Sequence, residues 1–233
     1  MSAVARKRRT RLRRADVEAS PARRRGRPPR LSRERIVDSV LSLIDREPAE
    51  AVTIARVAAE VGASPGALYR HFENLDDLLD SVVASVLADV AADPKIDTPW
   101  ERQLEEWMHT LRAQLLRVPA LLSLIGRTGR TSPAWLNASS VLLEILERAG
   151  LAGDSLAITY LWILETTTGL ILQEAALPVS DQLANARASK EELHDTAAAR
   201  FNAVSSALET IDGDRFFSFV VQQAISAVSR RKG

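Results

Sequence analysis

An all-α fold is predicted by three features of this 233-residue sequence. Apolar residues recur at intervals of three and four along most of the chain. Segment after segment opens on Ser, Thr or Asn followed by Pro or an acidic residue. No stretch alternates apolar and polar residues as a half-buried strand would. Hydrophobic residues make up 46% of the chain, enough to build a core in one large domain or in a small and a medium one. The absence of cysteine excludes disulfides, thiolate metal sites and a Cys nucleophile, and fits a reducing cytoplasm. The N-terminus is basic without an apolar core, so no secretory signal is predicted. The longest apolar run, Leu156 to Leu177, is interrupted by Glu165, Gln173 and Glu174, and no membrane span is expected.

Charge divides the chain. Residues 1 to 30 hold 12 Lys/Arg and 2 Asp/Glu, leaving 19 basic and 28 acidic residues elsewhere. This first segment has no apolar periodicity, and its like charges repel, so it reads as a disordered basic arm that meets a polyanion. Within it Arg25-Gly26-Arg27-Pro28 resembles the core of an AT-hook, in which arginines enter a narrow minor groove beside a slim glycine. A generic polycation attracted to phosphate is the alternative.

Residues 31–92 read as a first domain. Its opening helix is capped by Ser32, carries the stripe Ile36, Val40, Leu43 and Ile44, and runs to about Glu47 before Pro48. Residues 53–72 then pattern as two short helices about a turn. Val57, Ala58 and Val61 fall at helical spacing, and Gly62 supplies a left-handed stop. Ser64 and Pro65 open a second helix with Ala67, Leu68 and Phe72 on its apolar face. Small Ala58 allows a close crossing. This is a helix-turn-helix pattern, whose second helix lies in the DNA major groove, the alternative from spacing alone being an ordinary helical hairpin in a helical core. A fourth helix starts at the cap Asn74 with Asp76 and Asp77 in its first turn and is expected to reach about Ala92.

The ending LYRHF, the following Glu73-Asn74, the run DDLLDSVV and the preceding helix SRERIVDSVLSLIDRE together resemble the DNA-binding domain of TetR-type transcriptional regulators over about residues 31 to 85. Ser64, Gly66 and Ala67 sit at the first turn of the recognition helix, the part that approaches base edges. Gly66 and Ala67 are too small to hydrogen-bond through side chains, so Arg70 is the candidate for bidentate readout of guanine, with a phosphate contact as the alternative. The resemblance implies that Tyr69 and His71 hold the DNA backbone, and Arg56, facing out from the preceding helix, is assigned the same role. Leu75 stands where the family commonly has Lys. Residues 31 to 80 hold five basic and ten acidic residues, so the arm is expected to supply much of the attraction to DNA.

Residues 93–233 read as a helical effector-binding and dimerisation domain. After the break at Asp93-Pro94, Thr98-Pro99-Trp100-Glu101 forms a capping-box pattern. Helices are expected over about 99–117, 119–126, 133–149, 154–177, 190–210 (Ser189 and Glu192 as a box) and 214–230, with a mobile loop from Leu177 to Ser189. No metal, cofactor or catalytic triad is predicted: there is no Gly-rich phosphate loop, and His109 and His194 stand apart. Trp107, Leu111, Trp135, Trp162, Glu165 and Thr166 are candidates for a mostly apolar effector pocket with a few polar groups, the alternative being plain core aromatics. The helix Leu156 to Leu177, apolar on nearly every face, and the last helix are suited to pairing with a second copy through Gly169, Leu170, Gln173, Phe216, Val220 and Val228. In the resembled family these positions form a four-helix dimer interface.

The function expected is a homodimeric repressor that binds palindromic double-stranded DNA and is released by a small, largely apolar effector. An activator or architectural binder with the same head stands beside it. A helical enzyme with a DNA-binding appendage would be recognised by pH-dependent turnover at His109 or Glu165.

Overall fold

The computed structural model describes residues 31–121, 132–189 and 193–231. The arm with Arg25 and Arg27, most of the helix expected over 119–126, and Glu192 lie outside the described residues. Among the described residues every regular element is helical.

Helix α1 (Arg33–Ile44) is capped as expected, with Ser32 Oγ accepting from the Arg35 amide, and buries Ile36, Val37, Val40, Leu43 and Ile44. A 3₁₀ turn (Ala49–Ala51) leads to α2 (Ile54–Glu60), whose cap Thr53 accepts from the Arg56 amide. Helix α3 (Pro65–Leu68) follows the turn, and α4 (Leu75–Val86) starts where Asn74 Oδ1 accepts from the Asp77 amide. The fourth helix ends earlier than the expected Ala92; Val90 and Ala91 only turn back onto the Leu87 carbonyl.

Helix α5 (Trp100–Arg117) begins without the Thr98 cap. Buried Gln103 instead donates through Nε2 to the carbonyls of Lys95 and Thr98, at 2.9 and 2.6 Å, and fixes the connection from α4. Helix α6 (Pro133–Arg148) is capped by Ser132 and stopped by Gly150 at φ +92°. Then come α7 (Gly153–Ala176), α8 (Val179–Ala188), α9 (Asp195–Leu208) and α10 (Gly213–Arg230). Helix α8 replaces the loop expected from Leu177 to Ser189. It lacks the apolar stripe that makes a helix legible, yet its alanines favour helix, Asp181 lies in its first turn, and Gln182 Nε2 bonds the Leu177 carbonyl.

At the centre, α5 packs against α6, α7 and α10, while α4 packs against both α1 and α6. The buried apolar residues form one cluster from Ile36 to Val228, so the boundary expected near residue 92 is not a gap in packing. By length and composition alone α7 would suffice to cross a membrane, which the sequence reading had not expected. It packs against α5, α6 and α10, and its Glu174 is bound by Arg112 of α5, with Arg112 Nε 2.8 Å from Glu174 Oε2 and Arg112 Nη1 2.8 Å from Asp214 Oδ1.

Candidate nucleic-acid interface

The turn between α2 and α3 depends on Gly62, which has φ +67°, a conformation that L side chains rarely adopt. The Gly62 amide donates to the Ala59 carbonyl and the Ala63 amide to the Ala58 carbonyl, closing α2 in the manner of a left-handed cap. Val57, Ala58, Leu68 and Phe72 are buried, so the pair of helices rests on the core through this one face. What is left outside is the candidate reading surface. Ser64, Gly66, Tyr69 and Arg70 are exposed, and Ala67 and His71 are half-buried. Ser64 holds the cap position, as expected, but its side chain makes no capping bond.

The two candidate arginines differ sharply. Among the described residues Arg70 makes no ion pair. Arg56, expected to face out toward the DNA backbone, is instead partly buried, with its guanidinium 2.7 Å from Glu47 Oε1 and 3.0 Å from Glu60 Oε2. Glu60 also binds Arg46 at 2.6 Å. Hydrogen bonds from Arg56 hold the Glu47 carboxyl below its ordinary range, and those from Arg46 and Arg56 do the same for Glu60. The charge of Arg56 is thus engaged by Glu47 and Glu60, joining the end of α1 to α2 rather than facing freely outward as expected.

Arg33 is a residue that sequence reasoning missed. From the first turn of α1 it donates to the His71 carbonyl, to Asp77 Oδ1 at 2.6 Å and to Ser81 Oγ at 2.7 Å, and its guanidinium lies 4.3 Å from the centre of the Phe72 ring. One side chain therefore pins the end of the recognition segment to α4. A signal was present: a cation in the first turn of a helix opposes the helix dipole and calls for a tertiary partner. Asp77 completes the junction, its Oδ2 accepting from the Glu73 amide. Leu75, where the resemblance suggested a lysine, packs partly buried against the core.

Farther along, the candidate effector residues are not gathered at one place. Trp107 and Leu111 are in the core, and Trp107 Nε1 donates to the Ala138 carbonyl at 3.1 Å. Trp135 is half-buried and packs against the core. Trp162 is 42% exposed, Glu165 is exposed and Thr166 is half-buried, so Trp162 and Glu165 face outward rather than lining a cavity with Trp107. On the same outward side of α7 lie Ile158, Leu161, Leu172, Gly169 and Gln173, with Leu170 half-covered. A Cβ at Gly169 would meet nothing within 4 Å. In α10 Phe216 and Phe219 are exposed and Val220 is half-buried, but Val228 is fully buried within the chain. Val228 was expected at the pairing surface; it falls on the other face of α10, against the core.

Residues 93–231 match the tetracyclin repressor-like C-terminal domain, and residues 36–82 match the bacterial regulatory proteins of the tetR family. The chain belongs to the TetR family of transcriptional regulators. An uncharacterized HTH-type transcriptional regulator of Mycobacterium tuberculosis is 42% identical over 52 residues, 22% of this chain and 24% of that protein. The match thus spans about a quarter of the length of that relative. Among solved structures, ActR of Streptomyces coelicolor in complex with actinorhodin is similar over 88% of this TetR-family chain and 99% of its own, with 24% identity and a TM-score of 0.68. BioQ with its natural double-stranded DNA operator is similar over 86% and 99%, with 20% identity and a TM-score of 0.58. At these identities the likeness is one of fold.

Proposed function

We propose that this TetR-family chain is a homodimeric repressor that binds a palindromic operator and leaves it when a small, largely apolar molecule occupies the C-terminal half. The observation that carries the reading is the outward presentation of Ser64, Gly66, Tyr69 and Arg70, the last without an ion pair among the described residues, on a helix-turn-helix whose opposite face is buried in the core. Arg70 reads a guanine, Ala67 touches a thymine methyl, and Tyr69 and His71 hold phosphates. The basic arm of residues 1–30 supplies attraction that the acidic folded part lacks. Pairing through the apolar outer faces of α7 and α10 covers the exposed Ile158, Leu161, Trp162, Leu172, Phe216 and Phe219, and sets two heads about one helical turn apart. ActR in complex with actinorhodin and BioQ with its operator, both similar to this chain in fold, support a reading in which the chain binds both a small molecule and DNA.

Selection of bound sequences from random DNA tests the reading. A palindrome with half-sites spaced by about one turn is expected, and Arg70→Ala should relax preference at one position per half-site at a cost of about 1–3 kcal/mol. Removing residues 1–30 should flatten the salt dependence of binding while leaving the selected palindrome unchanged. Recovery of no preferred sequence would refute the proposal.

A further inference from the structure

The basic arm joins the head at a fixed point beside the recognition segment. Leu31, the first described residue, packs partly buried against the core, and two residues on Arg33 is held by the His71 carbonyl, Asp77 and Ser81. Arg33, Tyr69, Arg70 and His71 border one groove at this end of the head. The carboxylates of Glu73, Asp76 and Asp80 border it too, and Leu75 packs against the core where a lysine would have met phosphate. Attraction to DNA on this flank therefore falls to the arm. Its nearest part reads Arg23-Arg24-Arg25-Gly26-Arg27. A glycine between arginines adds nothing to phosphate attraction, which needs only charge. It does make the chain slim enough to follow a minor groove, about 6 Å wide. A·T-rich DNA narrows that groove further and concentrates its negative potential, which draws in guanidinium groups.

The exit point decides which groove is within reach. Four residues separate Arg27 from Leu31 and six separate Arg25 from it, at most about 14 and 22 Å of extended chain. The arm starts next to Tyr69 and His71, the residues read above as holding phosphates, and so at the edge of the major groove. Across that phosphate strand lies the minor groove. We propose that Arg25 and Arg27 enter the minor groove adjoining each half-site and select A·T base pairs there. The placement beside a half-site rests on the operator reading above, whereas the preference for A·T pairs does not.

The test measures the full chain on duplexes that differ only in a flank of about five base pairs, half a helical turn, beside the selected half-site. The flank is built of A·T, G·C or inosine·cytosine pairs. Inosine lacks the 2-amino group of guanine, so its pair with cytosine resembles A·T in the minor groove and G·C in the major groove. The A·T and inosine·cytosine flanks should bind alike, and the G·C flank about tenfold more weakly. Arg25→Ala with Arg27→Ala should bind all three flanks alike and still select the same palindrome. Gly26→Leu, which leaves the charge of the arm unchanged, should lose the flank preference and keep the salt dependence of binding. Equal binding of the three flanks by the unaltered chain, an inosine·cytosine flank as weak as G·C, or a flank preference untouched by Gly26→Leu would overturn the inference while the selected palindrome, and with it the operator reading, stands. If selection recovers no palindrome, the operator reading fails, and the three sequences are compared as plain duplexes: A·T and inosine·cytosine bound alike and above G·C supports minor-groove selection, and equality overturns it.

Discussion

Replacing Arg112 by alanine should destabilise the folded chain by about 3 kcal/mol. Arg112 holds Glu174 through two nitrogens, at 2.8 and 2.5 Å, and the two side chains are only 12% and 17% exposed. Removing one partner of a buried pair costs about 3–5 kcal/mol because the remaining charge is left without compensation, and the residual exposure here places the loss at the lower end. The third contact, to Asp214, adds little, since that carboxylate is 87% exposed. In a chain of this size 1 kcal/mol corresponds to about 2–4 °C, so the melting point should fall by about 6–12 °C. Urea denaturation at fixed protein concentration gives the free energy directly. Replacing both partners, as Arg112→Met with Glu174→Leu, should recover most of the loss, because no buried charge is then orphaned. Gly213 provides an independent probe of the same network. A Cβ there would lie 3.1 Å from Arg112 Nη2 and 3.3 Å from the Glu174 carboxyl carbon, so Gly213→Ala should cost about 1–3 kcal/mol by overpacking. A loss below about 1 kcal/mol for Arg112→Ala, or a double variant no more stable than the single one, would refute the assignment of this pair as the tie between α5, α7 and α10.

Arg33→Ala should remove about 1–2 kcal/mol, an exposed ion pair plus a cation–π contact, and weaken DNA binding; amide exchange at His71 and Phe72 should accelerate, and unchanged exchange would show that the recognition segment does not depend on Arg33. The Glu47 and Glu60 carboxyls titrate below the ordinary glutamate value of 4.5, so the stability they contribute is complete above that value and disappears as pH falls through their lower folded values. Acid unfolding of Glu47→Gln with Glu60→Gln should accordingly depend less steeply on pH than that of the unaltered chain, and parallel curves would disprove it. Gly169→Leu and Val220→Asp should shift the protein toward monomer in sedimentation, whereas Val228→Ala, inside the core, should lower stability without changing assembly; a monomeric unaltered protein at micromolar concentration would place the pairing surface elsewhere.

The order of helices and the site of the turn were determined by the sequence, because each depends on neighbours a few residues apart. Ser32, Thr53, Asn74 and Ser132 cap their helices through bonds to the amide three residues on, and Gly62 stops α2 through its own backbone. The family was legible for the same reason: its motif is one continuous stretch. Helix α8 escaped because it has no apolar stripe, and a helix with little to bury leaves little periodic trace. What only the tertiary structure decided is which charges are already committed. Arg56 and Arg70 are both arginines on the helix-turn-helix, and although Glu60 stands one turn beyond Arg56, spacing alone leaves open whether either guanidinium is held in place. Folding brings Glu47 and Glu60 to Arg56 and leaves Arg70 without an ion pair among the described residues. Arg33 reaches Asp77 across 44 positions of sequence, and Arg112 reaches Asp214 across 102. Likewise, two valines eight residues apart in α10 part company: Val220 stays half-exposed and Val228 enters the core, because only the packing of α5 and α7 against that helix fixes which face is covered. Periodicity gives a helix its stripe; the partner that covers the stripe, and the charge that answers a charge, come from elements distant in the chain.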